Sequence, residues 1–389
     1  MSKDAILFHK KLHGKIFVDS KISKITDKNL QIIYTPGVAT VCKEIFNHPK
    51  LKYQLTSKGN NVAIITDGTR ILGLGDIGPD AALPVMEGKA VLYRKFGNIS
   101  AFPICLDTKD KKQIVEIIKA ISPVFGAINL EDIESPKVLE ISQELEEVLD
   151  IPVFHDDRHG TSVVVLAALI NSLTIVDKKI SEVKIIIIGA GSAGYGIGKL
   201  LSFAGCKNII VLDSKGAIYK GRKESMNKYK EEIAEFTSKD EKGTINEAIV
   251  GADVVIGVSG IRNLLKPEMI KKMNQNPIVF ALTNPYPEIN PSVAKKAGAR
   301  IVATGSFSYE NKVNNALVFP YLMRAILDLK IRKITLDVLY TVAVSIATTI
   351  PKNKLREDNI IPKINNKMLQ KRITNILQKR NTKEKKTYH

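Results

Sequence analysis

The stretch Ile185-Ile186-Ile187-Ile188-Gly189-Ala190-Gly191-Ser192-Ala193-Gly194 decides how the second half of the chain folds. Its four consecutive isoleucines predict a buried strand, and the apolar pattern of residues 195–203 predicts a helix directly behind the glycines. In this order the first glycine permits a tight turn, the second lets the backbone approach a pyrophosphate, and the third lets the helix pack closely on the strand. The stretch therefore predicts a dinucleotide site, with the candidate residues Gly189, Gly191, Ser192, Ala193 and Gly194.

The position of Asp213 supports this interpretation. Asp213 follows the predicted strand 208–212 and stands 19 residues after Gly194, where a carboxylate that binds an adenosine ribose is expected. This carboxylate repels a 2′-phosphate and so favours NAD, but cations that follow in the sequence offset the repulsion. These cations are Lys215, Lys220 and Arg222. NAD is the expected cofactor, and NADP stays possible.

Strands and helices alternate on both sides of this stretch. Before it, strands are predicted at 61–66, 102–106, 125–130 and 151–154, with helices at 111–121 and 136–148. After it, strands are predicted at 208–212, 253–258, 278–282 and 300–303. Residues 161–176 are apolar on nearly every side, which predicts a buried helix between two lobes. The pattern predicts an α/β fold, with an N-terminal α/β domain over residues 1–160 and a Rossmann-like, doubly wound domain over residues 161–389 that ends in a basic helix and tail.

A glycine-dense stretch, residues 73–79, follows the first of the predicted strands. It contains too much glycine for a regular helix or strand, and it is too apolar for a linker. We expect it to form a buried loop beside a ligand.

The composition narrows the class of protein. The 389 residues are 44% apolar and 25% charged, and no uninterrupted apolar run approaches the about 20 residues that a membrane span needs. No secretory leader is expected at the N-terminus, and the scattered cysteines form no CxxC pair, which fits a reducing compartment. We therefore expect a soluble cytoplasmic protein with no membrane partner.

The formal net charge of +18 raises the question of nucleic-acid binding. The lysines are spread along the whole chain, however, and aromatic residues make up only 6%, with no Trp for base stacking. We expect no nucleic-acid partner, and the positive field is instead suited to attracting small anionic substrates.

Acidic pairs follow two predicted strands of the first domain. Glu131-Asp132 comes directly after strand 125–130, and Asp156-Asp157 comes just after strand 151–154. Parallel neighbouring strands bring both pairs to one edge of a sheet, where open α/β folds bind ligands. Crowded carboxylates repel each other unless a cation neutralises them, and purely oxygen ligands suit Mg²⁺ or Mn²⁺. The alternative is that they cap helices and loops, and the spacing by itself leaves both interpretations open.

Several further segments occur in the order typical of one enzyme family. They are Tyr34–Ala39, Thr66–Gly78, Pro84–Lys89, Leu130–Asp132, Phe154–Thr161, Leu282–Pro285 and Val313–Ala316. Together with the glycine-rich turn, they make nearly the whole chain resemble the malic enzyme family, in particular its compact bacterial members. Because many motifs occur in one order, this resemblance is more specific than the glycine pattern by itself.

The resemblance implies oxidative decarboxylation of L-malate to pyruvate and CO₂, with reduction of NAD(P)⁺, a divalent metal, and a homo-oligomer that is a dimer or larger. Position by position, it implies that Lys89 is the general base and Tyr34 the general acid. Since a base must be neutral to accept a proton, we expect burial or the nearby cation to lower the pKa of Lys89. The other implied roles are metal ligation by Glu131, Asp132 and Asp157 with Asp156 behind them, substrate binding by Arg70, Asn284 and Asn315, and a further cofactor contact by Asn284.

Three positions depart from the family pattern, since His155, His159 and Tyr321 stand where Asn, Gln and Gly are usual. These changes remove neither a proton carrier nor a ligand, so we expect activity to persist and the shape of the pocket to differ. Other functions stay open: a malolactic conversion of malate to lactate with bound NAD, a non-decarboxylating NAD-dependent dehydrogenase, and a non-enzymatic basic binding protein.

Overall fold

Two sheets of mainly parallel strands organise the chain. The computed structural model describes residues 2–238 and 242–387. In that part of the chain the first sheet has the strand order β2-β1-β3-β4, and its strands all run parallel. Its strands are β1 (Asn61–Thr66), β2 (Ser100–Cys105), β3 (Ala127–Leu130) and β4 (Val153–His155). Each overlaps the predicted strand, with ends displaced by at most about two residues, as is usual for strand ends.

The second sheet contains the isoleucine strand, β5, at its centre. Over the described residues its order is β10-β9-β8-β5-β6-β7, with only the short β7 antiparallel. Chain order reverses beside β5, because β6 lies on one side of it and β8 on the other, and doubly wound sheets bind ligands at such a point. The strands are β5 (Lys184–Ile188), β6 (Asn208–Asp213), β7 (Gly216–Ala217), β8 (Val254–Gly257), β9 (Ile278–Ala281) and β10 (Ile301–Thr304).

Helices cover the faces of both sheets. Up to residue 150 they are α1 (Ser2–Leu12), α2 (Asp27–Ile33), α3 (Gly37–Asn47), α4 (Lys52–Leu55), α5 (Pro79–Gly97), α6 (Lys111–Ile121) and α7 (Lys137–Val148). A π-helical turn, Asp156–Gly160, then joins β4 to the next helix. The later helices are α8 (Thr161–Ile175), α9 (Ser192–Phe203), α10 (Lys228–Phe236), α11 (Ile245–Ala248), α12 (Pro267–Ile270), α13 (Pro291–Lys296), α14 (Phe319–Leu329), α15 (Leu336–Ala347) and α16 (Leu369–Thr387).

Helix α8 is the buried helix that the sequence predicted between two lobes. Val163 and Leu169 are fully buried, and they belong to one hydrophobic cluster with Ile64 of β1 and Ile187 of β5. With the preceding turn, α8 forms a segment, Asp156–Ile175, that is long and apolar enough to cross a membrane. Of its most apolar window 72% is buried inside the protein, as expected for the core helix of a globular fold.

The C-terminal helices return to the first sheet. The ring centroids of Tyr93 in α5 and Phe319 in α14 are 4.8 Å apart, and those of Phe96 and Tyr321 are 6.1 Å apart. Tyr321 is 4% exposed, so the aromatic side chain at this family departure fills the core between α5 and α14. Because contacts of this kind cross the proposed boundary at residue 160, the division into domains 1–160 and 161–389 stays a prediction.

The glycine-dense loop is exposed, and the expectation of a buried loop is wrong. Leu72 is 58% and Leu74 68% exposed. Gly75 and Gly78 have φ angles of 79° and 82°, which turn the loop back on itself at the surface, away from the apolar core. Its beginning still lies beside a cavity, since Leu72 and Gly73 line the opening described below.

The N-terminal segment, residues 2–47, exposes many apolar side chains. Phe17 and Phe46 are each 85% exposed, although aromatic rings of this size are usually at least partly covered. Exposed apolar side chains in such number over one segment are typical of an interaction surface. Its other exposed members include Ile6, Leu7, Phe8, Leu12, Ile16, Val18, Ile22, Ile25, Leu30, Ile32 and Ile33.

Candidate active site

A cavity of about 500 Å³ lies where the carboxyl ends of both sheets face each other. The strands end here because acidic residues, asparagines and glycines replace the apolar runs. On the side of the first sheet the cavity is lined by Arg70, Lys89, Glu131, Asp132 and Asp157, and on the side of the second by Ser192, Ala193, Asn284 and Asn315. Residues predicted from widely separated parts of the sequence are therefore brought together in one place.

Lys89 lies on α5 with its ammonium group among acidic side chains. Its Nζ atom is 2.6 Å from Oε2 of Glu131 and also contacts the carboxylate of Asp156. The same nitrogen lies 4.1 Å from the ring centroid of Phe319, a cation–π contact that sequence reasoning missed. Burial opposes the charged form of Lys89, but Asp156 and Glu131 outweigh it and raise its pKa. The expectation of a lowered pKa is therefore wrong for this arrangement, because two carboxylates contact the ammonium group.

The acidic pairs emerge at neighbouring positions because β3 and β4 are adjacent and parallel. Burial raises the pKa of Glu131 well above its ordinary value, with repulsion from Asp156 and Asp132 adding to it and Lys89 opposing it. Burial and repulsion from Asp157 raise the pKa of Asp132 to about 7. Burial likewise raises the pKa of Asp156 against the effect of Lys89. Crowded, desolvated carboxylates of this kind are typical of functional sites.

Two amides hold this cluster from behind. Tyr93 donates a hydrogen bond to Asn129 (2.6 Å), and Asn129 donates to Oε2 of Glu131 (3.0 Å). Asn315 donates from Nδ2 to Oδ2 of Asp156 (2.6 Å). Sequence reasoning missed Asn129 and Tyr93, although an amide in the buried strand 127–130 directly before Glu131 was a usable signal.

The histidines that depart from the family pattern lie beside the cluster and face away from the cavity lining. His155 is 1% and His159 2% exposed, and the backbone N–H of His155 donates to Nδ1 of His159 (3.2 Å). Burial, with repulsion from Arg158, lowers the pKa of His155 to about 3 and that of His159 well below its ordinary value. Both rings are therefore neutral packing groups under ordinary conditions.

Arg70 and Asn284 lie on loops at the opening of the cavity. A Cβ atom on Gly191 would lie 3.5 Å from Nη1 of Arg70, so this guanidinium group of the first sheet reaches the glycine-rich turn of the second. A Cβ atom on Gly73 would lie 3.1 Å from the backbone oxygen of Asn284. The two loops therefore close on each other across the cavity, with a cation and an amide available for an anionic ligand.

The glycine-rich turn has the geometry that the sequence predicted. Gly189 has a φ of 117°, which favours glycine, and a Cβ atom on Gly194 would lie 1.8 Å from the backbone oxygen of Gly189. Any side chain at Gly194 would therefore force α9 away from β5. Ser192 and Ala193, at the start of α9, line the cavity, and the hydroxyl of Ser192 is buried without a hydrogen-bond partner. Free N–H groups at this helix end suit a pyrophosphate.

Asp213 lies at the end of β6, outside the cavity lining, and forms ion pairs with basic side chains. Its Oδ2 atom lies 2.5 Å from Nη2 of Arg222 and 2.7 Å from Nζ of Lys230, while the backbone N–H of Lys215 donates to Oδ1 (2.8 Å). Burial opposes ionisation, but these contacts lower its pKa. Lys220 instead pairs with Glu235, and the role of Lys230, 17 residues away in the sequence, was missed.

Tyr34, the predicted general acid, is not part of the cavity of its own chain. It follows α2, is 69% exposed and is not among the side chains that line the cavity. It belongs to the N-terminal segment that exposes apolar side chains.

The carboxylates of this cluster have the chemistry of a site for a hard cation. Among the side chains of the described residues, no group of three or more acidic, histidine or cysteine residues is gathered closely enough to hold an ion. Oδ2 of Asp132 and Oδ1 of Asp156 are nevertheless buried without a hydrogen-bond partner. Unpaired buried oxygens beside Glu131 and Asp157 form an oxygen-only donor set, which suits Mg²⁺ or Mn²⁺.

Comparisons with known proteins agree with this geometry. Family models of the malic enzyme N-terminal domain and the malic enzyme NAD-binding domain match residues 13–116 and 159–375. An NAD-dependent malic enzyme of Geobacillus stearothermophilus is 48% identical over 374 residues, which are 96% of this chain and 77% of that protein. A bifunctional malic/malolactic enzyme of Bacillus subtilis is 46% identical over 363 residues, 93% of this chain and 88% of that protein.

Solved structures are similar over the same length. The crystal structure of an NAD-dependent malic enzyme from Thermotoga maritima has a TM-score of 0.92 at 44% identity, covering 96% of this chain and 98% of that one. The malic enzyme of Entamoeba histolytica has a TM-score of 0.94 at 37% identity, covering 98% and 82%. Because both family models, the relatives and the solved structures agree, the chain belongs to the malic enzyme family and is an enzyme that binds a nicotinamide dinucleotide.

Proposed function

We propose that this enzyme converts L-malate to pyruvate and CO₂ while reducing NAD⁺, with Mg²⁺ or Mn²⁺ as the metal. The observation that carries this proposal is the meeting of Lys89 and the carboxylates of Glu131, Asp132 and Asp157 with the start of α9 around one cavity. The test is malate-dependent formation of NADH by the purified full-length chain in the presence of Mn²⁺. Exhaustive chelation should abolish it, and full activity after chelation would contradict the metal's role.

Glu131, Asp132 and Asp157 are the residues that would hold the metal. When bound, such an ion polarises the C2 hydroxyl of malate, stabilises enolate charge and neutralises the carboxylates that raise the pKa of Lys89. Asp156 lies behind the set, where it contacts Lys89 and accepts a hydrogen bond from Asn315. It is therefore suited to fixing the base and the amide relative to each other.

The other side chains around the cavity bind the substrate and transfer its proton. Arg70 and Asn284, at the opening, bind a carboxylate of malate and hold the C2 carbon towards the nicotinamide side of the cavity. Asn315 also lines the cavity, where it is available to bind the substrate. Lys89 accepts the C2-hydroxyl proton at Nζ as the hydride leaves to the nicotinamide. The burial of Lys89 excludes water from this proton transfer.

Tyr34 would return a proton to the enolate carbon, and we propose that it does so in a cavity of another subunit. Its 69% exposure and its place outside the cavity of its own chain support this arrangement. The exposed apolar side chains of residues 2–47 support a homo-oligomer that covers them. A two-fold dimer is the simplest assembly in which each N-terminal segment serves the partner.

The nucleotide preference follows from the contacts of Asp213. We infer that NAD is the main cofactor and that NADP is also used. A carboxylate at the end of β6 favours the ribose hydroxyls of NAD. Arg222 and Lys230 offset its charge, which reduces the repulsion of a 2′-phosphate. Relatives are named for both nucleotides, NAD for that of Geobacillus stearothermophilus and NADP for that of Halomonas elongata, so the order of preference rests on Asp213 and its partners.

A malolactic reaction is the second candidate, because the relative from Bacillus subtilis is named a bifunctional malic/malolactic enzyme. In that reaction NADH is retained and lactate is released, so malate disappears without net formation of NADH. The residues of the cavity serve both reactions up to the formation of pyruvate. The released product therefore distinguishes them.

A cytoplasmic location is also part of the proposal. The cysteines of the described residues, Cys42, Cys105 and Cys206, are free. Free thiols are typical of proteins from reducing compartments.

A further inference from the structure

A buried carboxylate outside the predicted site holds one wall of the cavity. Glu288 is 0% exposed, and it follows the turn made by Asn284-Pro285 after β9. No ion pair with Glu288 is found among the residues that the structure describes. A fully buried carboxylate without a cation is costly unless hydrogen bonds stabilise its charge.

Neutral donors from two loops supply these hydrogen bonds. The backbone N–H and the hydroxyl of Ser259 both donate to Oε1 of Glu288, each at 3.0 Å. The hydroxyl of Thr283 also donates to Oε1, and its backbone N–H donates to Oε2 (3.2 Å). Because a backbone N–H can only donate, both oxygens of the Glu288 side chain act as hydrogen-bond acceptors.

The hydroxyl groups complete the network without an unpaired donor. The Thr283 hydroxyl, which donates to Glu288, accepts from the backbone N–H of Gly260 (3.0 Å). The Ser259 hydroxyl accepts from the backbone N–H of Ile261 (3.1 Å). Glu288 therefore joins the loop after β8 to the loop after β9 through a fully satisfied network, which is rigid for that reason.

These two loops form the nucleotide-side wall of the active site. Val258 and Gly260 of the first loop and Thr283 and Asn284 of the second line the cavity. A Cβ atom on Gly189 would lie 2.6 Å from the backbone oxygen of Val258, so the first loop also packs against the pyrophosphate turn. Glu288 itself does not line the cavity, and it can act on ligands only through these loops.

We propose that Glu288 is a positioning residue that fixes Asn284 and the loop at Ser259 for binding of the dinucleotide and malate. The expected effect on malate binding rests on the proposed function, whereas the expected effect on dinucleotide binding does not. Since Glu288 does not line the cavity, replacing it changes no side chain that lines the cavity. The replacement removes the acceptor that sets the distance between the two loops.

The principal variant is Glu288→Gln, which keeps the size of the side chain but replaces one acceptor oxygen with an NH₂ group. This group then faces the donors of Ser259 or Thr283. Its Kd for NADH, measured by NADH fluorescence in a chain that has no Trp, should rise at least about tenfold, as should KM for malate, with a smaller fall in kcat. Glu288→Asp, which keeps the charge but is one methylene shorter, should be intermediate. Partial rescue by the conservative variant is not expected of a residue that acts only on stability.

Asp253→Asn is the matched control. Asp253 is a 6% exposed carboxylate just before β8, at the end of the strand opposite the cavity, and it accepts hydrogen bonds from Lys178, Lys184 and Asn274. Asp253→Asn should lower the melting temperature about as much as Glu288→Gln does. Its Kd for NADH and its KM for malate should stay within about twofold of wild type. Ser259→Ala provides a second, milder variant that removes one hydroxyl donor to Glu288 together with the acceptor of the Ile261 N–H, and it should raise Kd for NADH by a smaller factor.

A folded Glu288→Gln protein with Kd and KM within twofold of wild type, or an equal loss of NADH affinity in Asp253→Asn, would overturn the proposal. If Glu288→Gln does not fold, an unchanged Kd for NADH in Ser259→Ala would overturn it. If the wild type lacks malate-dependent activity, the proposed function fails, but NADH affinity still tests the role of Glu288.

Discussion

The Nζ atom of Lys89 lies 2.6 Å from Oε2 of Glu131, although the two residues come from α5 and from the end of β3. This contact places the proposed base directly beside a proposed metal ligand. A malate hydroxyl bound at one of them is therefore within reach of the other. The chemistry of the cavity depends on this juxtaposition more than on any single side chain.

Lys89→Ala should lower kcat by about 10²–10⁴-fold, because removal of a positioned base typically costs that much. The Kd for NADH, measured by fluorescence titration, should stay within about twofold, since Lys89 lies on the first sheet's side of the cavity. Lys95→Ala, an exposed change on the same helix, is the control. Near-normal turnover in Lys89→Ala would show that the assignment of the base is wrong.

Asp157→Asn should weaken Mn²⁺ binding at least about tenfold, because an anionic oxygen is lost from a set chosen for a hard cation. Isothermal titration with Mn²⁺ measures this without reference to turnover. The exposed Asp150→Asn, seven residues earlier, should bind Mn²⁺ as the wild type does. Unchanged Mn²⁺ affinity and substantial turnover in Asp157→Asn would instead favour a dehydrogenase that does not need these carboxylates.

Tyr34→Phe and Lys89→Ala proteins should each be nearly inactive, and dissociating and reassociating them together should restore activity. Random pairing in a two-fold dimer gives about a quarter of the wild-type sites, because one site of each mixed dimer then has both an intact base and an intact acid. Product formation before and after mixing measures this. No recovery in mixed dimers detected by mass spectrometry would contradict a shared active site.

Lys230→Met should shift cofactor choice towards NAD. It removes one of the cations that offset Asp213 while Arg222 stays in contact, so a 2′-phosphate is repelled more strongly. The ratio of kcat/KM for NADP to that for NAD should fall about tenfold, which corresponds to about 1.4 kcal/mol. Lys220→Met, which removes a cation paired with the exposed Glu235, should leave the ratio unchanged. An unchanged ratio in Lys230→Met would rule out this cation as a determinant.

The sequence was informative wherever one local pattern has one physical solution. The four isoleucines before Gly189 are buried on both faces of a central parallel strand, and no other element accommodates such a run followed by three spaced glycines. The acidic pairs meet because β3 and β4 are adjacent, which strand-helix-strand alternation implied. The family resemblance then supplied roles for side chains that spacing could not assign.

The remaining features depend on distant contacts that no local pattern encodes. The raised pKa of Lys89 is set by Asp156 and Glu131, and the pairing of Asp213 with Lys230 requires a helix that returns over β6. The hydrogen bonds of Glu288 come from donors up to 29 residues earlier. The 69% exposure of Tyr34 is likewise a property of the folded surface that the local pattern around Pro36-Gly37 does not encode.

Analysis of the product released by the wild-type chain tests the proposed oxidative decarboxylation most directly. The purified protein is supplied with L-malate, NAD⁺ and Mn²⁺, and pyruvate, lactate, oxaloacetate and NADH are quantified together. Pyruvate and NADH are expected in equal amounts, with no product when Mn²⁺ is withheld. Lactate without net NADH, or oxaloacetate as the stable product, would contradict the proposal.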